Sequence, residues 1–291
     1  MPLLFFPHYN EIFERLETFS KIVRINSYLN AIGGIHMSLF NKALASIGIG
    51  AATVDTKLEK ATYRAGEVMH GEIMVRGGHV EQQIDAIYVS VHTTYLREAN
   101  DKKYTDVAAI QKIKVTEPFT IAAGEHKVMP ISLTLPIDTP ITAGKTQVWV
   151  QTGLDIKNAV DPNDKDYIRV QPTKLAESVL DAVSGLGFRL REAECEQAST
   201  RLRGKFPFVQ EFEFVPTGSY RRHLDELELV FLAQSDYSVE LLLQIDRKAK
   251  GLGSLFAEAL DMDESYVRTT ITTQDLPNIQ ANLQQIIMKH L

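Results

Sequence analysis

At 291 residues the chain is long enough for two domains, each with a core of its own. Hydrophobic residues make up 44% and charged residues 23%, a soluble globular composition, and a net charge of -6 argues against nucleic acid, which needs a basic face. The single Cys195 excludes an internal disulfide framework and a Cys-rich zinc site, and it points to a reducing, cytoplasmic setting.

No apolar run approaches the ~20 residues that cross a bilayer. The opening, "MPLLFFPHYNEIFERL", lacks an early basic region and is interrupted by Pro7, His8 and Tyr9, so it is a poor signal peptide. From Ile12 onward, Leu16, Phe19 and Val23 recur at helical spacing. Residues 1–36 are therefore either an amphipathic helix for docking on a protein or a membrane surface, or an extension ahead of a true start at Met37. Residues 37–50 then place Leu39, Phe40, Ala43, Leu44 and Ile47 on one face of a short helix.

The period changes to two at Ala52, Val54, Thr56 and Leu58, which alternate with Thr53, Asp55, Lys57 and Glu59 as in a strand with one buried face. Gly66 and Glu67 in "YRAGEVMHGEI" predict a tight turn into the next strand, with Gly66 supplying the backbone freedom. Ile87 to Tyr95, Ile113 to Val115, Met129 to Leu135 and Val148 to Leu154 continue the alternation, separated by Gly and Pro turns. Strands in that succession without helices between them predict an antiparallel sandwich.

The polar segment "DPNDKDYIRVQP" reads as a linker and places a domain boundary near Pro172. A short helix follows over Lys174 to Val183, then strands near Phe188 to Cys195, Phe208 to Val215, Leu224 to Leu232 and Val239 to Asp246. Leu252, Leu255, Phe256, Ala259 and Leu260 fit a helix, and Asp275 caps a last one with Ile279, Leu283, Ile286 and Ile287 on its apolar face. The map is a leader over 1–36, a β domain over 37–172, a second over 173–274 and a C-terminal helix over 275–291. The last helix either packs back on its own domain or presents Leu283 and Ile287 as an interface to another subunit or a regulatory partner.

No catalytic constellation assembles along the chain. "DPNDKDY" begins like a calcium loop but has Lys165 at its fifth position and lacks the later Gly and Glu ligands. The eight histidines are scattered without His-Glu-x-x-His spacing, and the "HGE" at His70 to Glu72 lacks the cysteine pair of a zinc deaminase. Glu194 and Glu196 flank Cys195, which raises a thiol pKa rather than lowering it. No cofactor is expected. An enzyme whose site assembles from distant residues stays open as a third class of function.

The strand "VDTKLEKATY", the Gly-Glu turn and the small residue Gly71 resemble the first hairpin of an arrestin-type domain. The segments "MSLFNKALASIGIGAATVDT", "LGFRLREAECE", "FVQEFEFVP", "LDELELVFL" and "VELLLQIDRKAKGLGSLFAEALDMDES" together resemble the SpoOM family of sporulation-control proteins, from Met37 to Leu291. That resemblance implies a mainly β chain of two tandem arrestin-like antiparallel β-sandwich domains with a few peripheral helices. It also implies a non-enzymatic cytoplasmic regulator that meets protein partners along strand edges and in the interdomain groove. In that frame Gly66 and Glu67 have a structural job. The alternative is a membrane-surface scaffold anchored by the N-terminal amphipathic helices.

Overall fold

The computed structural model describes residue 45 and residues 50–100, 102–157, 159–199, 202, 204–247 and 264–291. The leader, all of the 37–50 helix except Ala45 and Gly50, and the 252–260 helix lie outside the described residues.

The chain is mainly β with few helices. Its first strands are β1 (Thr53–Leu58), β2 (Thr62–Arg64), β3 (Val68–Arg76), β4 (Gln82–Ala99), β5 (Lys102–Lys114), β6 (Phe119–Ile121), β7 (His126–Thr134), β8 (Val148–Ile156) and β9 (Asn163–Gln171). After helix α1 (Lys174–Gly185) come β10 (Phe188–Gln197), β11 (Phe208–Pro216), β12 (Leu224–Gln234), β13 (Ser238–Arg247) and β14 (Glu264–Thr272). A 3-10 turn over Thr273–Asn278 leads into α2 (Ile279–Lys289).

A small sheet, β1-β3-β7, faces one end of a large sheet ordered β14-β13-β12-β11-β10-β4-β8-β9-β2, with β5 and β6 also paired to β4. Strand β3 shows how the sequence sets this layer. Met69, Gly71, Ile73 and Val75 are buried while His70 and Glu72 are exposed, so one face meets the large sheet. Gly71 pairs with Leu58, and a Cβ there would lie 2.6 Å from the Lys57 carbonyl oxygen, so the β1–β3 register needs a glycine.

Two pairings are parallel where the sequence reading expected antiparallel sheets. Strand β2 leaves the small sheet between β1 and β3 and runs parallel to β9, and β10 meets β4 in parallel at Glu196 and Leu96. The second contact joins the strands of the two halves into one sheet.

The polar segment before Pro172 is not a linker: residues 163–171 are strand β9, paired with β8 through Trp149–Tyr167 and Thr152–Asp164. Its inward positions carry Asp164 and Asp166 ahead of the buried Ile168 and Val170, so carboxylates occupy half of the inward face and hide the period of two. Asp164 earns that position by accepting a hydrogen bond from the Thr56 amide of β1 at 2.7 Å, closing the edge between the sheets. Asp161 accepts from the Ile156 amide at 2.9 Å and so caps the β8–β9 turn.

Two cores result. The first draws on residues 52–170 together with Cys195 and Phe208; the second draws on residues 175–287 together with Ile141. In the second, the apolar face of β10–β14 packs among the described residues on α1 and α2, through Leu175, Val179, Val183, Ile279, Leu283 and Ile287. Helix α1 starts where Thr173 accepts the Ala176 amide at 3.1 Å, and its apolar residues fall on one face.

Candidate functional site

The stretch that attracts attention in the sequence, Tyr63 to Ile73, lies at the joint between the two halves. Arg64 and Glu67 close a β-turn, with the Glu67 amide donating to the Arg64 carbonyl at 2.9 Å. Gly66, third in the turn, has φ of +85°, in the left-handed region that glycine enters freely. The Glu67 carboxylate accepts from the Lys60 ammonium and from the Arg64 amide, the latter at 2.8 Å, and these bonds, the Lys60 one first, hold its pKa below the ordinary carboxylate value. The turn is fixed to Leu135 by the Gly66 amide at 3.0 Å and by the Leu135 amide, which donates to the Glu67 carbonyl at 2.9 Å.

Arg64 carries the turn across to the second half. Its Nη1 donates to the Pro172 carbonyl and to Glu177 Oε2 of α1, the latter at 2.9 Å. Beside this bridge opens a groove of about 540 Å³. Gly66, Glu67 and Ile137 form the wall from the first half, while Lys174, Asp236 and Leu276 represent the second. Lys174 and Asp236 are exposed, Leu276 is 41% exposed, and Leu175 is buried at the base of α1. The groove therefore offers the exposed Lys174 and Asp236 beside Arg64 and Glu67, which are tied into the bridge and the turn, and an apolar strip, the mixture that accommodates a peptide segment.

Other sequence candidates scatter. His70 and His79 are exposed, on β3 and just after it. His92 stacks on Trp149 with ring centroids 5.5 Å apart, and burial followed by the charges of Lys165 and Lys112 pulls its pKa down. Cys195 is buried and its thiol is pushed up to about 12, chiefly by burial; neighbouring Glu194, the cause suggested by sequence, is the smallest contribution. No group of three or more His, Cys, Asp or Glu side chains gathers for a metal among the described residues.

Leu283 and Ile287 are 0% and 1% exposed in the second core. Of the two placements open for the last helix, the structure has the packed one and not the outward interface: the apolar residues Ile279, Leu283 and Ile287 of α2 are buried against the protein's own sheet and α1. The sequence also missed Glu211, on the opposite face of the large sheet from that core. Burial, then Glu196 and Glu213, push its carboxyl up to about 7. Glu213 stands two residues along the same strand, while the β10–β11 pairing, Glu194 beside Glu211 and Glu196 beside Val209, brings Glu196 near.

A family model described as SpoOM protein matches residues 40–249. The chain belongs to the SpoOM family. Sporulation-control protein spo0M of Bacillus subtilis (strain 168) is 44% identical over 252 residues, covering 86% of this chain and 96% of that relative. The crystal structure of Spo0M from Bacillus subtilis matches with a TM-score of 0.74 at 40% identity, covering 84% of this chain and 100% of the other. The resemblance to the SpoOM family expected from the quoted segments thus holds, and the groove belongs to a SpoOM chain. A CARDB domain of the PF1109 protein from Pyrococcus furiosus, solved with di-metal ions, is 15% identical over 43% of this chain and 91% of its own, at a TM-score of 0.25. That likeness carries no argument.

Proposed function

We propose that this SpoOM chain is a non-enzymatic cytoplasmic regulator of the sporulation-control kind, working by holding protein partners in the groove beside Gly66 and along its strand edges. The observation that supports it most is the 44% identity to a sporulation-control protein across nearly the whole of that relative. The groove adds a physical reason. Arg64 and Glu67, its best-placed ionisable groups, are committed to Pro172, Glu177, Lys60 and the turn backbone, while Lys174 and Asp236 stand exposed at its rim. Groups tied into structural bonds fix the shape of a binding surface; exposed charges of both signs select what enters it. The buried, lone Cys195 suits a reducing compartment.

The test reverses the rim charges together, Lys174→Glu with Asp236→Lys, and compares partners recovered from native lysate with wild type. Lys174 opens α1, where an acidic residue is favourable, so the fold is expected to survive. Loss of a defined partner set with unchanged circular dichroism is the expected result. The same partners recovered in the same amounts would overturn the groove as the contact site.

A further inference from the structure

Unpaired strand edges invite pairing with other chains, and proteins blunt them with lysine, proline, bulges or short strands. Most edges in this fold are blunted that way. Strand β7 has Pro130 at its middle, β2 and β6 have three residues each, and β5 carries Lys102, Lys103, Lys112 and Lys114 beside a register shift. The outer side of β1 is engaged, since Thr56 donates to Asp164.

Strand β14 differs on every count. Its nine residues, "ESYVRTTIT", pair with β13 from Asp246–Glu264 to Ser238–Thr272 without a register shift. It has no proline and no lysine, and it is rich in β-branched residues. Its one cation, Arg268, is drawn back onto Glu240 of β13. Among the described residues no strand pairs with its other side.

We propose that this edge pairs with β14 of a second copy of the chain, antiparallel about a twofold axis, so that the large sheets of two protomers join. A twofold perpendicular to the sheet sets residues of one face opposite each other and must lie midway between the two copies of a single residue. A register centred on Thr269 places Val267 opposite Ile271 and Arg268 opposite Thr270. One centred on Val267 places Tyr266, which is 61% exposed, opposite Arg268. Both keep like charges apart, whereas a centre on Arg268 would oppose two guanidinium groups. The strand's formal charge is zero, one Glu against one Arg, so a second copy meets no net repulsion. Edge pairing alone buries less than a permanent dimer requires, which makes the association dependent on concentration.

This inference rests on the contact-based reading of function and narrows it to one partner. The test is light scattering of the full chain over a dilution series, together with mild oxidation of Val267→Cys and Thr269→Cys. Cα atoms directly opposed across an antiparallel pair lie about 4.5–5.5 Å apart, within the Cα span of a disulfide. The expected result is a dimer at high concentration and a reducible cross-link from one of the two variants. Native Cys195, at 1% exposure, stays unlinked, and so does a control cysteine at exposed Val107 on β5. A wild-type monomer at every concentration with no link at 267 or 269 would overturn the proposal, as would linking only through Val107→Cys. Partner loss on reversal of the groove charges, seen alongside that result, would keep the contact-based reading and remove only the dimer.

Discussion

The guanidinium of Arg64 lies 2.9 Å from the carboxylate of Glu177, so the strand entering the Gly66 turn is held to the first helix of the second half. The same Nη1 also donates to the Pro172 carbonyl, where the chain passes from one core to the other. Both side chains are partly exposed, at 30% and 47%, so solvent screens the pair. Arg64→Leu, which keeps an apolar stem, is expected to lower stability by about 1 kcal/mol, and the Arg64–Glu177 coupling in a double-mutant cycle is expected below about 1 kcal/mol. Urea midpoints of the two single variants and the double variant check this. A coupling several times larger would mean the bridge, rather than the shared sheet, holds the halves together.

Gly66 poses a backbone question rather than a packing one. A Cβ there would meet nothing nearer than Ile137 Cγ1 at 3.8 Å, but φ of +85° is strained for any L side chain. Gly66→Val is expected to destabilise by about 1 kcal/mol or more. Gly66→Asn is expected to fall between wild type and valine, since asparagine tolerates this region better than β-branched residues. Equal melting temperatures for all three proteins would refute the turn geometry.

What could be read ahead of the structure depended on whether apolar residues marked the inward face. Ile87 to Tyr95 within β4, Val148 to Leu154 within β8 and Lys174 to Val183 within α1 carry that mark and were legible. Strand β9 was not, because Asp164 and Asp166 occupy inward positions, and the partner that holds Asp164 there, the Thr56 amide, is distant in sequence. The groove was legible only at its Gly66 turn. Its other walls come from Ile137, the 173–175 helix start, the 235–236 turn and residues 273 and 276, which only the tertiary fold brings together. The raised pKa of Glu211 likewise comes from its burial in the folded sheet, then from Glu196 and Glu213.

Asp166 gives a pH dependence with a definite sign. Burial first, then Asp164 and Asp55, raise its carboxyl from 3.8 to about 6. Between those values the folded state holds more proton than the unfolded one, so this group's contribution to stability falls as pH rises through the window. Asp166→Asn removes the ionisation. Because Asp166 is only half-buried, the expected gain at about pH 7.5 is discounted to about 1 kcal/mol, and it should vanish by about pH 3, below both values. The measurement is the variant-minus-wild-type difference in urea stability at the two pH values, which cancels the remaining titrations. A difference that does not change with pH would show that Asp166 ionises normally.

Leu283 decides whether α2 belongs to the core or to an interface. It is 0% exposed and sits among the second core with Ile279 and Ile287. Leu283→Ala should cost about 2–5 kcal/mol by leaving a cavity, and Leu283→Asp more, since a buried carboxylate without a partner adds its desolvation. The loss should appear as disordering of the second half, with slowed-exchange amides of β12 and β13 losing protection while those of β4 and β8 keep more of theirs. Met288, at 55% exposure on the same helix, supplies the control, and Met288→Asp should change stability by less than about 0.5 kcal/mol. A Leu283→Asp protein that stayed folded but lost self-association would return this stripe to the surface and refute its place in the core.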